Sequence, residues 1–253
     1  DYQLTVGQMI HLFQPTCKAE FVLTNRTKSV RLAERIPEGR LREEFEALRQ
    51  LRVQDDEFDY LSKRTNQGRP LYAPSYLNFF RAYRLPEYEI SVRDGQYDIR
   101  YAGNWVDAMM WETFGLGTLI ALNSEVTMQD LSAAAIAEME RRAMDRLDAK
   151  LDRLNGSKDE FTVTNFGTRR AFSPPWHKTV DEHASVKLGE RFVGTSNVWN
   201  AKQLGIRPAG TNSHQCSMVY SAIYWDGTTE GLAGSYRRFL NDWWSLYGEP
   251  FSL

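Results

Sequence analysis

The chain has 253 residues, enough for one large domain or two small ones. With 42% apolar and 25% charged residues it has the composition of an ordinary soluble globular protein, and a net charge of −2 offers no basic footprint for nucleic acid. No apolar run is long enough to span a membrane, no signal-peptide pattern is present, and Cys17 and Cys216 do not make a metal-ligand spacing, so a reduced, cytoplasmic setting is expected.

In chain order, Leu4, Met9, Ile10, Leu12 and Phe13 place a short helix in residues 1–13. Alternation from Ala19 to Asn25 predicts a strand. From Glu38 to Leu51 the apolar residues Leu41, Phe45, Leu48 and Leu51 recur at three- and four-residue steps among Glu and Arg, the pattern of an amphipathic helix. Shorter helical pieces follow at Asp55 to Leu61 and Ser75 to Tyr83, with Tyr76, Leu77, Phe79, Phe80 and Tyr83 as core. The period then changes to two. Glu89 to Val92 and Tyr97 to Tyr101 flank Asp94-Gly95, a hairpin signal, and Gly103 to Trp105 is read as continuing that sheet. Trp111 to Asn123 is an apolar helix. The longest helix is expected to start at a capping box of Thr127 and Asp130 and to stop at Asn155-Gly156. Its stripe is Ile136, Met139, Ala143, Leu147, Leu151 and Leu154; Arg141, Arg142, Arg146 and Lys150 form a solvated face.

From Phe161 the pattern becomes strand, glycine turn, helix, which is an α/β signature. The expected architecture is an N-terminal α+β domain over residues 1–123, then over 124–253 the first part of a TIM-like barrel with Gly167, Gly194 and Gly210 at strand ends on one face. In this stretch a Gly-Thr pair closes three apolar runs: Phe166-Gly167-Thr168-Arg169-Arg170, Gly194-Thr195-Ser196-Asn197 and Gly210-Thr211-Asn212-Ser213-His214. Glycine permits close backbone approach, and free N–H groups at a helix start suit a phosphate. Arg169 and Arg170 add fixed charge and forked donors; a structural ion pair is the plainer reading of either. His214 adds a group that titrates near neutrality, whereas His11, His177 and His183 have no comparable context and are read as structural. Asn197 reads equally as a phosphate contact and as an N-cap.

These turns resemble the nicotinate phosphoribosyltransferase family, which carries FGTRR, then GTSN, then a Gly-Thr turn ending in histidine. Further matches are Asp1 to Thr5, Phe21 to Arg26, Gly103-Asn104-Trp105 and Trp111-Glu112-Thr113, so the resemblance covers nearly the whole chain. It implies a type II phosphoribosyltransferase barrel, with this chain as the N-terminal and central part of a longer one. It implies formation of nicotinate mononucleotide and pyrophosphate from nicotinate and phosphoribosyl pyrophosphate in NAD salvage, coupled to ATP hydrolysis with Mg²⁺. His214 falls on the family's phosphorylated histidine. Tyr2, Phe166, Arg169 and Thr211 fall at nicotinate-contacting positions, and Arg170, Thr195, Ser196 and Asn197 at phosphate or phosphoribosyl contacts. No protein metal ligand is assigned. A homodimer sharing the site between subunits is expected, with Tyr2 reaching across. One departure stands out: many members have Glu after the histidine, and this chain has Gln215, a change expected to weaken ATP coupling if the side chain orients the histidine. The reading from a different class is a non-catalytic member serving as a binding or subunit-interaction module.

Overall fold

The structure, a computed structural model, describes residues 2–210 and 212–248, Tyr2 by its backbone alone. Its first part runs α1 (Tyr2–Phe13), β1 (Lys18–Leu23), α2 (Leu32–Arg35), α3 (Glu38–Arg49), α4 (Asp55–Ser62), the short pair β2 (Thr65–Asn66) and β3 (Arg69–Pro70), α5 (Pro74–Arg81), β4 (Glu89–Arg93), β5 (Gln96–Asn104), α6 (Trp105–Ala108) and α7 (Trp111–Met128). There follow α8 (Ala133–Asn155), β6 (Val163–Asn165), α9 (Pro174–Leu188), β7 (Phe192–Thr195), α10 (Val198–Leu204), α11 (His214–Tyr224) and α12 (Thr229–Tyr247).

The first sheet is antiparallel, in the order β1-β5-β4. Its hairpin forms where Asp-Gly predicted it: Asp94 and Gly95 both take positive φ, +52° and +71°, as a two-residue turn matched to strand twist requires. Tyr97, Ile99 and Tyr101 alternate inward along β5. The strand ends one residue earlier than expected. The Trp105 amide still donates to the Cys17 carbonyl at 2.7 Å, but Trp105 itself opens α6, because Asn104 leaves the sheet in an extended conformation and bonds forward to Asp107 at 2.8 Å.

The start of the long helix also differs. Thr127 lies in the last turn of α7, where its hydroxyl donates to the Asn123 carbonyl at 2.6 Å. Ser132 caps α8 instead, accepting from the Ala135 amide at 3.2 Å. The helix stops at Asn155-Gly156 as expected, though Gly156 keeps right-handed geometry (φ −73°). Of its apolar stripe only Leu151 is buried, with Leu147 and Leu154 packed beside it. Arg141 and Arg142 pair with Glu138 and Asp145 on the exposed face, contacts worth little to stability.

Past α8 the chain builds the α/β part. β6 and β7 are parallel and joined through α9; α10 then returns the chain to a parallel bridge between Thr195 and Pro208. Among the described residues, two apolar clusters hold the molecule. The smaller joins α8, α9 and β7 through Leu151, Ala184, Leu188 and Phe192. The larger is built on Trp105, Trp111, Tyr101 and Phe45, with Tyr101 and Trp111 stacked at 4.8 Å, and it also takes in Cys216, Tyr220, Phe239, Trp243 and Tyr247 from α11 and α12. It thus draws on both sides of residue 123. Among the described residues no helix is long and apolar enough to cross a membrane.

Candidate functional site

The strand ends bring the Gly-Thr turns together. At the end of β6 the Asn165 carbonyl accepts from the Ser196 amide at 2.8 Å, and the Thr168 and Ser196 hydroxyls are hydrogen-bonded at 2.6 Å. The first two turns therefore share a side-chain contact as well as a backbone one. The third joins through Thr195: its amide donates to the Arg207 carbonyl at 3.1 Å and its carbonyl accepts from Ala209 at 2.9 Å. Gly194 sits inside β7 rather than beyond its end. There φ is +153°, and a Cβ would lie 2.0 Å from the Arg207 carbonyl oxygen, so only glycine lets the two segments meet.

Beneath the turns lies a buried carboxylate. Asp181 on α9 is wholly buried; it accepts from Asn165 Nδ2 at 2.6 Å and from Asn200 Nδ2 at 2.8 Å. Asn165 Oδ1 accepts in turn from the Gly167 amide at 2.9 Å. One acid thus ties β6, α9 and α10 to the first turn, and a buried charge needs this many donors. His177, also on α9 and 3% exposed, places Nε2 3.5 Å from Asp181. Burial holds its imidazole below the ordinary histidine value, and Asp181 offsets that only in part. The linkage has a definite sign. The folded state takes up the proton less readily than the unfolded chain, so stability is present above about pH 6.5 and falls as pH drops below it, by at most about 1.4 kcal/mol per pH unit for this one group. Half-buried His11 adds a shift of the same direction, also led by desolvation. In urea unfolding between pH 5 and 8, His177→Gln is expected to flatten part of the acid slope; an unchanged slope would mean that His177 does not titrate with unfolding.

A second hub links the turns to the first part of the chain. Glu112, near the start of α7, forms an ion pair with Arg169. Its other oxygen accepts from Gln215 Nε2 at 3.1 Å and Gln3 Nε2 at 3.3 Å, while Gln215 Oε1 accepts from Trp105 Nε1 at 2.7 Å. Burial pushes the neighbouring Cys216 thiol up to about 12. The Arg169 side chain is three-quarters buried and paired with Glu112, and a forked cation held beside a glycine turn suits a carboxylate or phosphate.

His214 is the first residue of α11, following the N-cap Ser213, whose hydroxyl accepts from the Gln215 amide at 3.4 Å. Its side chain is exposed, at a helix N-terminus whose dipole favours an anion. Gln215 is buried and turned away, with both ends of its amide engaged by Trp105 and Glu112, so its side chain does not orient the histidine.

Of the residues singled out in the sequence, Thr168-linked Ser196, Arg169 and the Thr195 turn are brought together at these strand ends. Phe166 is half exposed there. Arg170 is exposed, its amide donating to the Gly167 carbonyl at 2.8 Å. Thr195 is wholly buried and its hydroxyl accepts from the Asn197 amide at 3.3 Å, so the residue shapes the turn from within. Asn197 is the N-cap of α10, accepting from the Asn200 amide at 3.0 Å. The side chain of Tyr2 and the whole of Thr211 lie outside the described residues. Sequence reasoning missed Asp181, Asn165, Asn200 and Glu112 as organisers; only Glu112 lay in a quoted motif.

The nicotinate phosphoribosyltransferase N-terminal domain matches residues 1–119, and the nicotinate phosphoribosyltransferase family domain matches residues 161–241. The crystal structure of nicotinate phosphoribosyltransferase from Porphyromonas gingivalis is 26% identical, with a TM-score of 0.74 over 97% of this chain and 59% of that one. That from Vibrio cholerae is 24% identical, with a TM-score of 0.73 over 97% of this chain and 56% of that one. The chain thus spans less than three fifths of the length of these two structures. With one family matched in both parts of the sequence, and the same fold throughout, the chain belongs to the nicotinate phosphoribosyltransferase family.

Proposed function

We propose that the protein is a nicotinate phosphoribosyltransferase of NAD salvage, forming nicotinate mononucleotide and pyrophosphate from nicotinate and phosphoribosyl pyrophosphate with ATP hydrolysis. The observation supporting this most directly is the Arg169 guanidinium, fixed by Glu112 at a turn that Thr168 and Ser196 join to its neighbour. Nicotinate is a flat anion. Arg169 meets its carboxylate, and the half-exposed Phe166 meets its ring. The pyridine nitrogen then attacks the anomeric carbon; the new C–N bond forms as the C–O bond to pyrophosphate breaks, and pyrophosphate leaves with the electron pair. Arg170 and the positive end of the α11 helix offset its charge.

His214 supplies the coupling step. A neutral imidazole nitrogen attacks the γ-phosphorus of ATP, an N–P bond forms and ADP departs; water later cleaves the N–P bond and releases phosphate. Among the described residues no group of three or more His, Cys, Asp or Glu is placed to hold a metal ion. Mg²⁺ enters this reading on the phosphates of the substrates, and no residue is assigned to it. A homodimer that completes the site through Tyr2 of a second subunit, in the cytoplasm, belongs to the same proposal.

The deciding assay measures product on the intact protein with nicotinate or nicotinamide, with and without ATP. Nicotinate mononucleotide made faster with ATP supports the reading; no product from either base rejects it. Arg169→Ala is expected to raise the KM for nicotinate at least tenfold, about 1.4 kcal/mol of lost interaction. Unchanged kinetics would remove Arg169 from binding.

A further inference from the structure

The amide of Gln215 has one orientation open to it. An indole N–H is a donor only, so Trp105 fixes Oε1 toward itself at 2.7 Å. The Nε2 end must then face Glu112, where it donates at 3.1 Å. Glu112 consequently accepts from three donors, Gln215, Gln3 and Arg169. The titratable or charged groups facing it among the described residues are Arg169 and Cys216, and burial keeps the Cys216 thiol protonated at neutral pH.

We propose that Gln215 is a positioning residue for Arg169: its uncharged amide, oriented by Trp105, holds the Glu112 carboxylate against the guanidinium and links α6, α7 and α11 to the first Gly-Thr turn. The proposal rests on the reading that Arg169 meets the substrate carboxylate. It also gives residue 215 a role separate from His214. With glutamate there, one oxygen keeps the Trp105 bond and the other faces Glu112 Oε2 at hydrogen-bond distance. Two carboxylates so close share a proton at low pH and repel when both ionise. Arg169 is then drawn between two anions, and its hold on a third weakens as pH rises.

The test uses the intact protein labelled with 5-fluorotryptophan, with the Trp105 resonance assigned through Trp105→Phe. Its ¹⁹F shift and the calorimetric Kd for nicotinate are followed from pH 5 to 9. In the unaltered protein the Trp105 resonance is expected not to titrate. In Gln215→Glu it is expected to titrate, with nicotinate affinity at least threefold weaker above the midpoint than below it. Glu112→Gln combined with Gln215→Glu restores one amide and one acid, and is expected to remove the titration. A Trp105 resonance in Gln215→Glu that stays flat overturns the proposal, as does a titration with no accompanying change in Kd. If no form of the protein binds nicotinate, the functional reading fails, and the Trp105 resonance alone decides whether Gln215 sets the state of Glu112.

Discussion

Incubated with γ-labelled ATP, the intact protein is expected to gain an acid-labile, base-stable phosphoryl label, and His214→Ala is expected to gain none. Phosphoramidate N–P bonds have this pattern, whereas phosphoserine does not. The expectation follows from the position of His214: an exposed imidazole at the first residue of α11, at the positive end of the helix dipole. Because Gln215 points to Trp105 and Glu112, the amide in place of an acid after the histidine is expected to leave labelling intact. Equal label in the alanine variant would displace His214 from the role. Phosphoribosyl transfer without label in either protein would reduce His214 to a substrate contact.

Gly194→Ala is expected to have the largest effect on stability of any single methyl added to the turns. The new Cβ would sit 2.0 Å from the Arg207 carbonyl oxygen, an atom already bonded to the Thr195 amide, in a backbone conformation that side chains rarely adopt. Strain and overpacking together cost about 3 kcal/mol, which for a chain of this size lowers Tm by roughly 6–12 °C. Differential scanning calorimetry reads this directly. A shift below about 1 °C would mean that β7 and the segment at Arg207 do not meet as closely as described.

The sequence made the local structure legible where one residue type answers one backbone need. Asp94-Gly95 foretold a turn that needs positive φ twice, and the steps among Leu41, Phe45 and Leu48 foretold α3. Thr127 misled because a hydroxyl followed by an acid three residues on has the same spelling inside a helix as before one; the Asn123 carbonyl claimed it. The FGTRR, GTSN and Gly-Thr turns located the candidate site. What the local pattern could not show is what holds these turns. Asn165, Asp181 and Asn200 are ordinary polar residues until α9 and α10 stack them around one buried carboxylate. Glu112 and Gln215 are 103 positions apart, and no local spacing announces a pair made across the fold.

Tyr247 closes the larger core from the far end of the chain. Its hydroxyl donates to the Thr5 carbonyl at 2.6 Å and accepts from Gln8 at 3.0 Å, a separation of 239 positions. During synthesis α1 therefore emerges long before the helix that covers it. Until α12 is made, Gln8 and the Thr5 carbonyl lack their Tyr247 partner, and the loop to be closed is nearly the whole described chain. Such closure is slow, because its entropy must be met before the contact can repay it. Helix α1 is thus made well before the segment that secures it.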